Sequence, residues 1–201
     1  MNTSVLNTEI ADTTIYVASN EVLDITQLEI RDDGANNDII FATGKCSLGS
    51  ILVAKSEMGI CAILIGEDPA VLERDLKDRF SRANLINDQS VCRDIVAKIT
   101  DLIENPALRL DLPLDIRGTV FQQRVWKALQ QIPAGSTASY VDIARKIGMP
   151  KAFRAVARAC GANSLAVAIP CHRVVRSDGA ISGYRWGVER KRTLLNREAH
   201  A

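Results

Sequence analysis

Short apolar runs separated by glycine-containing breaks dominate the first third of the chain. Residues 1–37 show no clear period, and we interpret them as a tail or linker. Apolar runs then lie at residues 39–42, 50–54 and 60–65. Runs of this length, bounded by turn residues, are typical of β-strands. The pattern therefore predicts a meander of three strands.

A helical period replaces these runs from Pro69 onward, with Asp68 well placed to cap the first helix. A second helix is predicted from Asp88 to Glu104. Its predicted buried stripe consists of Val91, Ile95, Ile99 and Leu102. Strands followed by helices indicate an α/β domain, to which we assign residues 38–117.

Residues 105–118 contain two prolines and predict an extended connector, so a second domain is placed at residues 118–201. Its pattern is mainly helical. Helices are predicted from Thr119 to Ile132, from Tyr140 to Ile147, from Lys151 to Ala162 and after Gly187. The middle two, joined by a turn that contains glycine, are typical of a helix-turn-helix.

Charge separates the two halves of the chain. Residues 1–117 hold 11 Lys and Arg against 20 Asp and Glu, a net charge of −9, whereas residues 118–201 hold 14 against 4, a net charge of +10. The sum is the +1 of the whole chain. The basic half suggests a polyanionic partner. It could instead dock against the acidic half.

Two further features bear on the cellular setting. Apolar runs are shorter than a membrane span, and the first 20 residues lack the Lys or Arg of a signal peptide. The five cysteines are an odd number without a C-x-x-C pair, and the two histidines are too few for a His-rich metal site. We expect free thiols, a cytoplasmic protein, and no membrane partner.

A candidate nucleophile follows the predicted helix-turn-helix. Residues 167–169 are interpreted as a short strand that leads into Cys171 and His172. A neighbouring imidazole can favour the reactive thiolate. Because successive strand residues point to opposite faces, we expect a water molecule to join His172 to the sulfur. A buried structural thiol beside a hydrogen-bonded histidine would give the same pattern.

The surrounding residues resemble the O6-alkylguanine-DNA alkyltransferase family. Ile169–Val174 matches the family's alkyl-acceptor motif. Further matches follow in family order at Phe121-Gln122, Val125-Trp126, Ser139-Tyr140, Arg154-Ala155-Val156, Asn163 and Ser182–Gly187. The resemblance spans residues 38–198 and is strongest to the carboxy-terminal half of the bacterial Ada proteins.

This resemblance implies an α/β ribonuclease-H-like domain followed by a mainly helical, winged-helix-like DNA-binding domain. It implies repair of double-stranded DNA by irreversible transfer of a methyl or small alkyl group from flipped-out O6-alkylguanine to Cys171, with O4-alkylthymine as a second candidate substrate. Each molecule would act once, as a monomer. No cofactor or metal is implied.

The resemblance also implies the roles of individual residues. His172 and Glu198 would manage the proton, and Asn163 would shape the loop behind Cys171. Arg154 would fill the gap left by the flipped base. DNA and substrate contacts are expected from Tyr140, Lys151, Arg154, Arg158, Tyr184 and Arg185.

The sequence alone leaves plainer interpretations open. Arg154 could be one more phosphate contact, Asn163 a helix C-cap, and Glu198 an exposed helix residue. A helix-turn-helix regulator or a non-repairing lesion-recognition protein would share the fold, but neither needs an acceptor at Cys171. A cysteine hydrolase would need an oxyanion hole for which no separate signal is found. The four-cysteine zinc site of Ada has no counterpart in this sequence.

Overall fold

The predicted meander forms the centre of a mixed sheet in the computed structural model, which describes residues 38–108 and 110–200. Its strands are β1 (Asp38–Cys46), β2 (Gly49–Ser56) and β3 (Gly59–Gly66), paired antiparallel in sequence. A short strand β4 (Asn84–Asn87), which the pattern missed, pairs parallel to β1. The strand order is β3-β2-β1-β4. The tail or linker at residues 1–37 lies outside the described residues.

Two capped helices accompany this sheet. α1 (Pro69–Arg79) begins after Asp68, whose side chain accepts a hydrogen bond from the amide of Ala70, so the expected cap is confirmed. α2 (Gln89–Glu104) is capped in the same way by Asp88. Its expected stripe is partly wrong, because Val91 is exposed. Cys92, Ile99 and Ile103 are the buried residues of α2.

The second half is mainly helical, as expected. It comprises α3 (Val120–Leu129), β5 (Ala138–Ser139), α4 (Tyr140–Lys146), α5 (Phe153–Ala162), β6 (Val174–Val175) and α6 (Val188–Glu198). Thr119 caps α3 in a reciprocal capping box with Gln122. The short strands β5 and β6 pair in parallel. The order of an α/β part followed by a helical part confirms the predicted fold class.

Two helix boundaries in this half differ from the prediction. α3 ends at Leu129 instead of Ile132, because a turn leads from there to Pro133. α5 begins at Phe153, so Lys151 lies in the turn before the helix and does not belong to its regular face. The pair α4 and α5 keeps the arrangement of a helix-turn-helix, with Gly148 in the left-handed region at φ +74°. Glycine adopts this conformation without steric cost.

The free edge of β3 joins the two halves. The amide of Ile60 donates to the carbonyl of Pro113 over 2.9 Å, which docks the extended connector on this edge. The amide of Ile63 donates to the carbonyl of Ser164 over 2.8 Å, and the amide of Ala166 returns a bond to Ile63 over 3.0 Å. The segment that precedes Cys171 is therefore held directly by the sheet. The domain boundary at residues 117 and 118 stays a prediction.

The strand expected at residues 167–169 is wrong. These residues form a turn in which Val167 adopts φ 59°, and the chain passes from it into a 3-10 turn at Cys171–Arg173. The amide of Ile169 bonds to the carbonyl of Leu165 over 3.0 Å, which closes the turn locally. Apolar composition misled the prediction because these side chains pack into the core without an extended backbone. Within the described residues, no helix is long and apolar enough to cross a bilayer.

Candidate active site

The thiol of Cys171 lies at the start of the 3-10 turn, with the residue only 4% exposed. Asn163 approaches it from the end of α5, and its side-chain amide donates to the sulfur over 3.2 Å. Burial raises the pKa of Cys171 to about 11, although the hydrogen bond from Asn163 and the charge of Lys191 oppose this shift. The thiol is consequently protonated at neutral pH, and a reaction at sulfur requires a base.

Asn163 is completely buried and ties the end of α5 to the loop before the cysteine. Its side-chain amide also donates to the carbonyl of Ile169 over 2.9 Å, while its oxygen accepts from the amide of Leu165 over 2.9 Å. The same residue is the C-cap of α5. The two interpretations left open by the sequence are thus compatible, since Asn163 both ends the helix and contacts the sulfur.

His172 and Glu198 form a buried pair beside the cysteine. The Nε2 atom of His172 lies 2.8 Å from Oε1 of Glu198. Burial lowers the pKa of His172 more than the carboxylate raises it, so the imidazole is neutral at pH 7. Since a carboxylate can only accept, Nε2 carries the proton and Nδ1 holds a lone pair. Among the described residues, this Nδ1 atom has no hydrogen-bond partner.

Glu198 is held by a second group that the sequence reasoning missed. Arg173 donates to the carboxylate through Nε and Nη2, over 3.0 and 2.8 Å, and through Nη1 to the carbonyl of Ile132 over 2.6 Å. Burial alone would raise the pKa of Glu198, but the hydrogen bonds from His172 and Arg173 outweigh it and hold the pKa at about 2. The carboxylate is therefore ionised. The interpretation of Glu198 as an exposed residue is wrong.

Lys191 is the second missed residue. It is 0% exposed on α6, and its ammonium group donates to the carbonyl of Val174 in the strand that follows the 3-10 turn. Burial lowers the pKa of Lys191, while Cys171 and Cys160 act in the opposite direction. A lysine near a thiol can favour the thiolate. The signal in the sequence was weak, because lysine on a helix is normally exposed.

Helix α6 carries both Glu198 and Lys191, and arginines of the same helix fix it to the α/β part. Arg190 donates to the carbonyl of Leu48 over 2.7 Å, and Arg197 donates to the carbonyl of Ile103 over 2.9 Å. Arg197 also pairs with Glu104 at 3.2 Å. The acidic sheet domain therefore sets the position of the helix that carries Glu198 and Lys191.

A loop at Ser182–Trp186 packs beside the cysteine. It contains two of the expected substrate residues, Tyr184 and Arg185, and it contacts a third, Tyr140 of α4. The hydroxyl groups of Tyr140 and Ser182 are 2.7 Å apart. The hydroxyl of Tyr184 is buried, which raises the pKa of that group, and the ring lies edge-on to His172 with centroids 6.3 Å apart. The side chain of Arg185 reaches the α/β part, where it donates to both oxygens of Asp75 on α1 over 2.9 and 3.1 Å. Arg185 therefore serves as a link to the α/β part in this structure.

The three remaining expected residues lie on an exposed surface. Lys151, Arg154 and Arg158 are all exposed, with Lys151 in the turn before α5 and the two arginines four residues apart on the helix. The opposite side of α5 is buried, and the indole nitrogen of Trp126 on α3 donates to the carbonyl of Ala159 over 2.9 Å. Helix α5 thus presents cations outward while its end contacts the reactive sulfur through Asn163.

Metal binding is not indicated by the described residues, in which no group of three potential ligands is found. The five cysteines are unpaired, and burial raises the pKa of Cys160 to about 12. What the site offers is one nucleophile, one neutral imidazole held by an ionised carboxylate, and a basic helix beside them. This arrangement is suited to a reaction at the cysteine thiol beside a cationic surface.

Comparisons with known proteins agree with this description. The family model of the 6-O-methylguanine DNA methyltransferase ribonuclease-like domain matches residues 39–116, and that of its DNA-binding domain matches residues 120–200. The chain is 48% identical over 200 residues to the bifunctional transcriptional activator/DNA repair enzyme Ada of Escherichia coli, covering 99% of this chain and 56% of that protein. It spans about half the length of its Ada relatives.

Shorter relatives are covered more fully. A methylated-DNA--protein-cysteine methyltransferase of Mycolicibacterium paratuberculosis is 40% identical over 135 residues, which are 66% of this chain and 82% of that protein. The structure of Mycobacterium tuberculosis OGT in complex with DNA superposes with a TM-score of 0.69 at 35% identity, covering 80% of this chain and 93% of that one. The chain belongs to the 6-O-methylguanine DNA methyltransferase family, which confirms the resemblance found in its sequence.

Proposed function

We propose that this protein repairs DNA by transferring the alkyl group of O6-alkylguanine to Cys171, once per molecule. The observation that carries the proposal is the buried thiol of Cys171, which accepts a hydrogen bond from Asn163. The thiol lies beside His172, whose Nε2 atom is 2.8 Å from Oε1 of Glu198. Relatives of this chain are named methylated-DNA--protein-cysteine methyltransferases. A regulator or a lesion-binding protein without repair activity has no use for this arrangement.

The transfer begins with removal of the thiol proton. Nδ1 of His172 accepts it through a bridging water molecule, and the ionised Glu198 stabilises the resulting imidazolium. The sulfur then forms a bond to the alkyl carbon as the bond between that carbon and O6 breaks. The electron pair of the broken bond stays with the guanine. The guanine takes up one proton, equivalent to the one removed from the thiol, so that it leaves as the neutral base and His172 returns to its neutral form. The hydroxyl of Tyr140 donates a hydrogen bond to its edge and stabilises the departing charge.

The product at Cys171 is a thioether. Water cannot displace the alkyl group from it under ordinary conditions, and the sequence has no C-x-x-C partner that would regenerate a thiol. The reaction is therefore stoichiometric. O4-alkylthymine is the second candidate substrate, since it carries an alkyl group in the same kind of bond.

The DNA surface is helix α5 and the turn before it. Lys151 and Arg158 bind the phosphate backbone, and Arg154 enters the gap that the rotated guanine leaves. The damaged base must leave the duplex because Cys171 is only 4% exposed. Tyr184 packs beside the pocket, and Arg185 holds the loop of the pocket on α1. The protein acts as a monomer, and the five free cysteines support a cytoplasmic location.

The test is the intact mass of the protein after mixing with a duplex that contains O6-methylguanine. We expect one added methyl group on Cys171, a burst of repair equal to the active protein concentration, and no further reaction. Cys171→Ser should lose the burst of repair and keep DNA binding. Cys160→Ser should retain the burst. Repeated turnover by one protein molecule, or a methyl group on another residue, would contradict the proposal.

A further inference from the structure

The helix α5 begins with an aromatic residue that lies outside its buried side. Phe153 is 40% exposed, and so is Met149 in the turn that leads to the helix. The buried side of α5 consists of Val156, Ala159 and Cys160. The ring of Phe153 is thus a large apolar group on the surface that we assign to DNA.

The ring is coupled to the neighbouring arginine. The guanidinium carbon of Arg154 lies 5.5 Å from the centre of the Phe153 ring, which is a cation–π contact. Aromatic rings and planar guanidinium groups are the side chains that stack on nucleic acid bases. Lys151 and Arg158, which precede and follow the pair in the chain, are exposed as well. The charge of this surface suits phosphates, and the ring suits an apolar slot between bases.

We propose that Phe153 is a positioning residue which enters the DNA beside Arg154 and stacks on the base pair next to the lesion. DNA-binding proteins, chiefly those of the minor groove, often insert apolar side chains between base steps and partly unstack them. Rotation of a base out of the duplex costs a few kcal/mol of stacking and pairing. Contact between the ring and the neighbouring base offsets part of this cost. The inference rests on the proposed function.

Loss of the ring should lower the repair rate only for substrates in which the damaged base is stacked in a duplex. Phe153→Ala should slow single-turnover repair of O6-methylguanine in a duplex about tenfold, because stacking of one base on an aromatic side chain contributes roughly this factor or more. Reaction with free O6-benzylguanine should stay at the rate of the unsubstituted protein, since no base has to leave a stack. Phe153→Tyr should retain repair of the duplex, because the ring is kept.

A matched control separates stacking from general loss of an exposed apolar group. Met58 is 58% exposed in the turn between β2 and β3 and belongs to the α/β part, so Met58→Ala should change neither rate. The salt dependence of DNA binding should be the same for Phe153→Ala as for the unsubstituted protein, because phenylalanine carries no charge. Thermal unfolding of each variant shows whether the fold is retained.

A direct readout uses 2-aminopurine next to the lesion, with Cys171→Ser to stop the chemistry. Binding should raise the fluorescence of this base analogue, and adding Phe153→Ala should remove most of the rise. Unchanged repair and fluorescence in Phe153→Ala would overturn the inference, as would an equal loss with both substrates, which would assign the ring to the pocket or the fold. If the unsubstituted protein leaves the duplex unrepaired, it is the proposed function that fails.

Discussion

Glu198→Gln tests the proton-handling pair with little change in side-chain size. The carboxylate accepts from Nε2 of His172, from Nε and Nη2 of Arg173, and over 3.3 Å from the amide of Gly135. Glutamine keeps one acceptor oxygen and replaces the other by a donor. At least one of these donors therefore loses its partner, and the guanidinium of Arg173 keeps a charge that nothing on residue 198 balances.

The size of the effect follows from the pKa of Glu198. Burial opposes ionisation, but the hydrogen bonds from His172 and Arg173 lower the pKa from 4.5 to about 2. A difference of this size corresponds to about 3 kcal/mol of stability. Breaking a buried ion pair costs a similar amount, about 3–5 kcal/mol. Because the pKa is lower in the folded state, this stability is present above pH 4.5 and is lost as the pH falls through about 2.

The assay is urea unfolding across a range of pH. We expect Glu198→Gln to be less stable by about 3 kcal/mol at pH 7 and to lose less stability than the unsubstituted protein between pH 4.5 and 3. His172 adds to the acid sensitivity of both proteins, because burial lowers its pKa and it must be protonated on unfolding below pH 6.5. Glu189→Gln is the matched control, since that side chain is 82% exposed on the same helix.

The chemical consequence is measured on the same variant. Rates with the O6-methylguanine duplex and with free O6-benzylguanine should fall together, because both reactions need the thiol proton removed. The role given to Glu198 would be refuted if the stability of Glu198→Gln and of the unsubstituted protein changed in parallel with pH and both reaction rates were unchanged in the variant.

Three further predictions concern the surfaces around the thiol. Arg154→Ala should slow repair of a duplex and leave the reaction with O6-benzylguanine unchanged, and equal losses in both rates would assign the arginine to the pocket. Asp75→Ala removes the carboxylate that pairs with Arg185 and with Arg79, while Arg185 keeps its bond to the carbonyl of Gly161. It should lower stability by at most about 1 kcal/mol and, by loosening the loop beside Cys171, increase the rate with O6-benzylguanine in single-turnover kinetics. Lys191→Met should preserve stability in urea while slowing iodoacetamide labelling of Cys171 at pH values below about 11, because a nearby cation that favours the thiolate is lost.

Local patterns in the sequence predicted most of the fold because they act over a few residues. The apolar runs predicted the three long strands, and side chains of Asp68, Asp88 and Thr119 marked helix starts that the structure confirms. The missed strand β4 has only Leu85 and Ile86 as apolar residues, and it forms by pairing with β1 from more than 40 residues away in the chain. Such a strand depends on its partner more than on its own composition.

The turn at residues 167–169 shows a different limit. Val167 and Ile169 have strong strand preference, yet this segment is determined by Asn163, whose side chain bonds to backbone groups on both sides of the turn. The hydrogen bonds of one buried amide side chain outweigh the strand preference of these two residues. For the site itself, the motif around Cys171 predicted the nucleophile and its neighbours. The sequence did not predict a role in the site for Lys191 and Arg173, because these two residues contribute to it only when α6 packs against the 3-10 turn.

The burial of Cys171 has a chemical logic if each molecule reacts once. A protonated, 4% exposed thiol with a pKa of about 11 resists oxidation and attack by small electrophiles, which would waste the protein before it reaches a lesion. The groups that favour the thiolate lie inside the same site. The neutral His172, held by the ionised Glu198, can accept the thiol proton, and the charge of Lys191 stabilises the thiolate. In the proposed reaction, activation is therefore coupled to entry of a base that supplies the electrophilic carbon and takes up one proton as it departs. The hydrogen bond from Asn163 holds the sulfur in position until that base arrives.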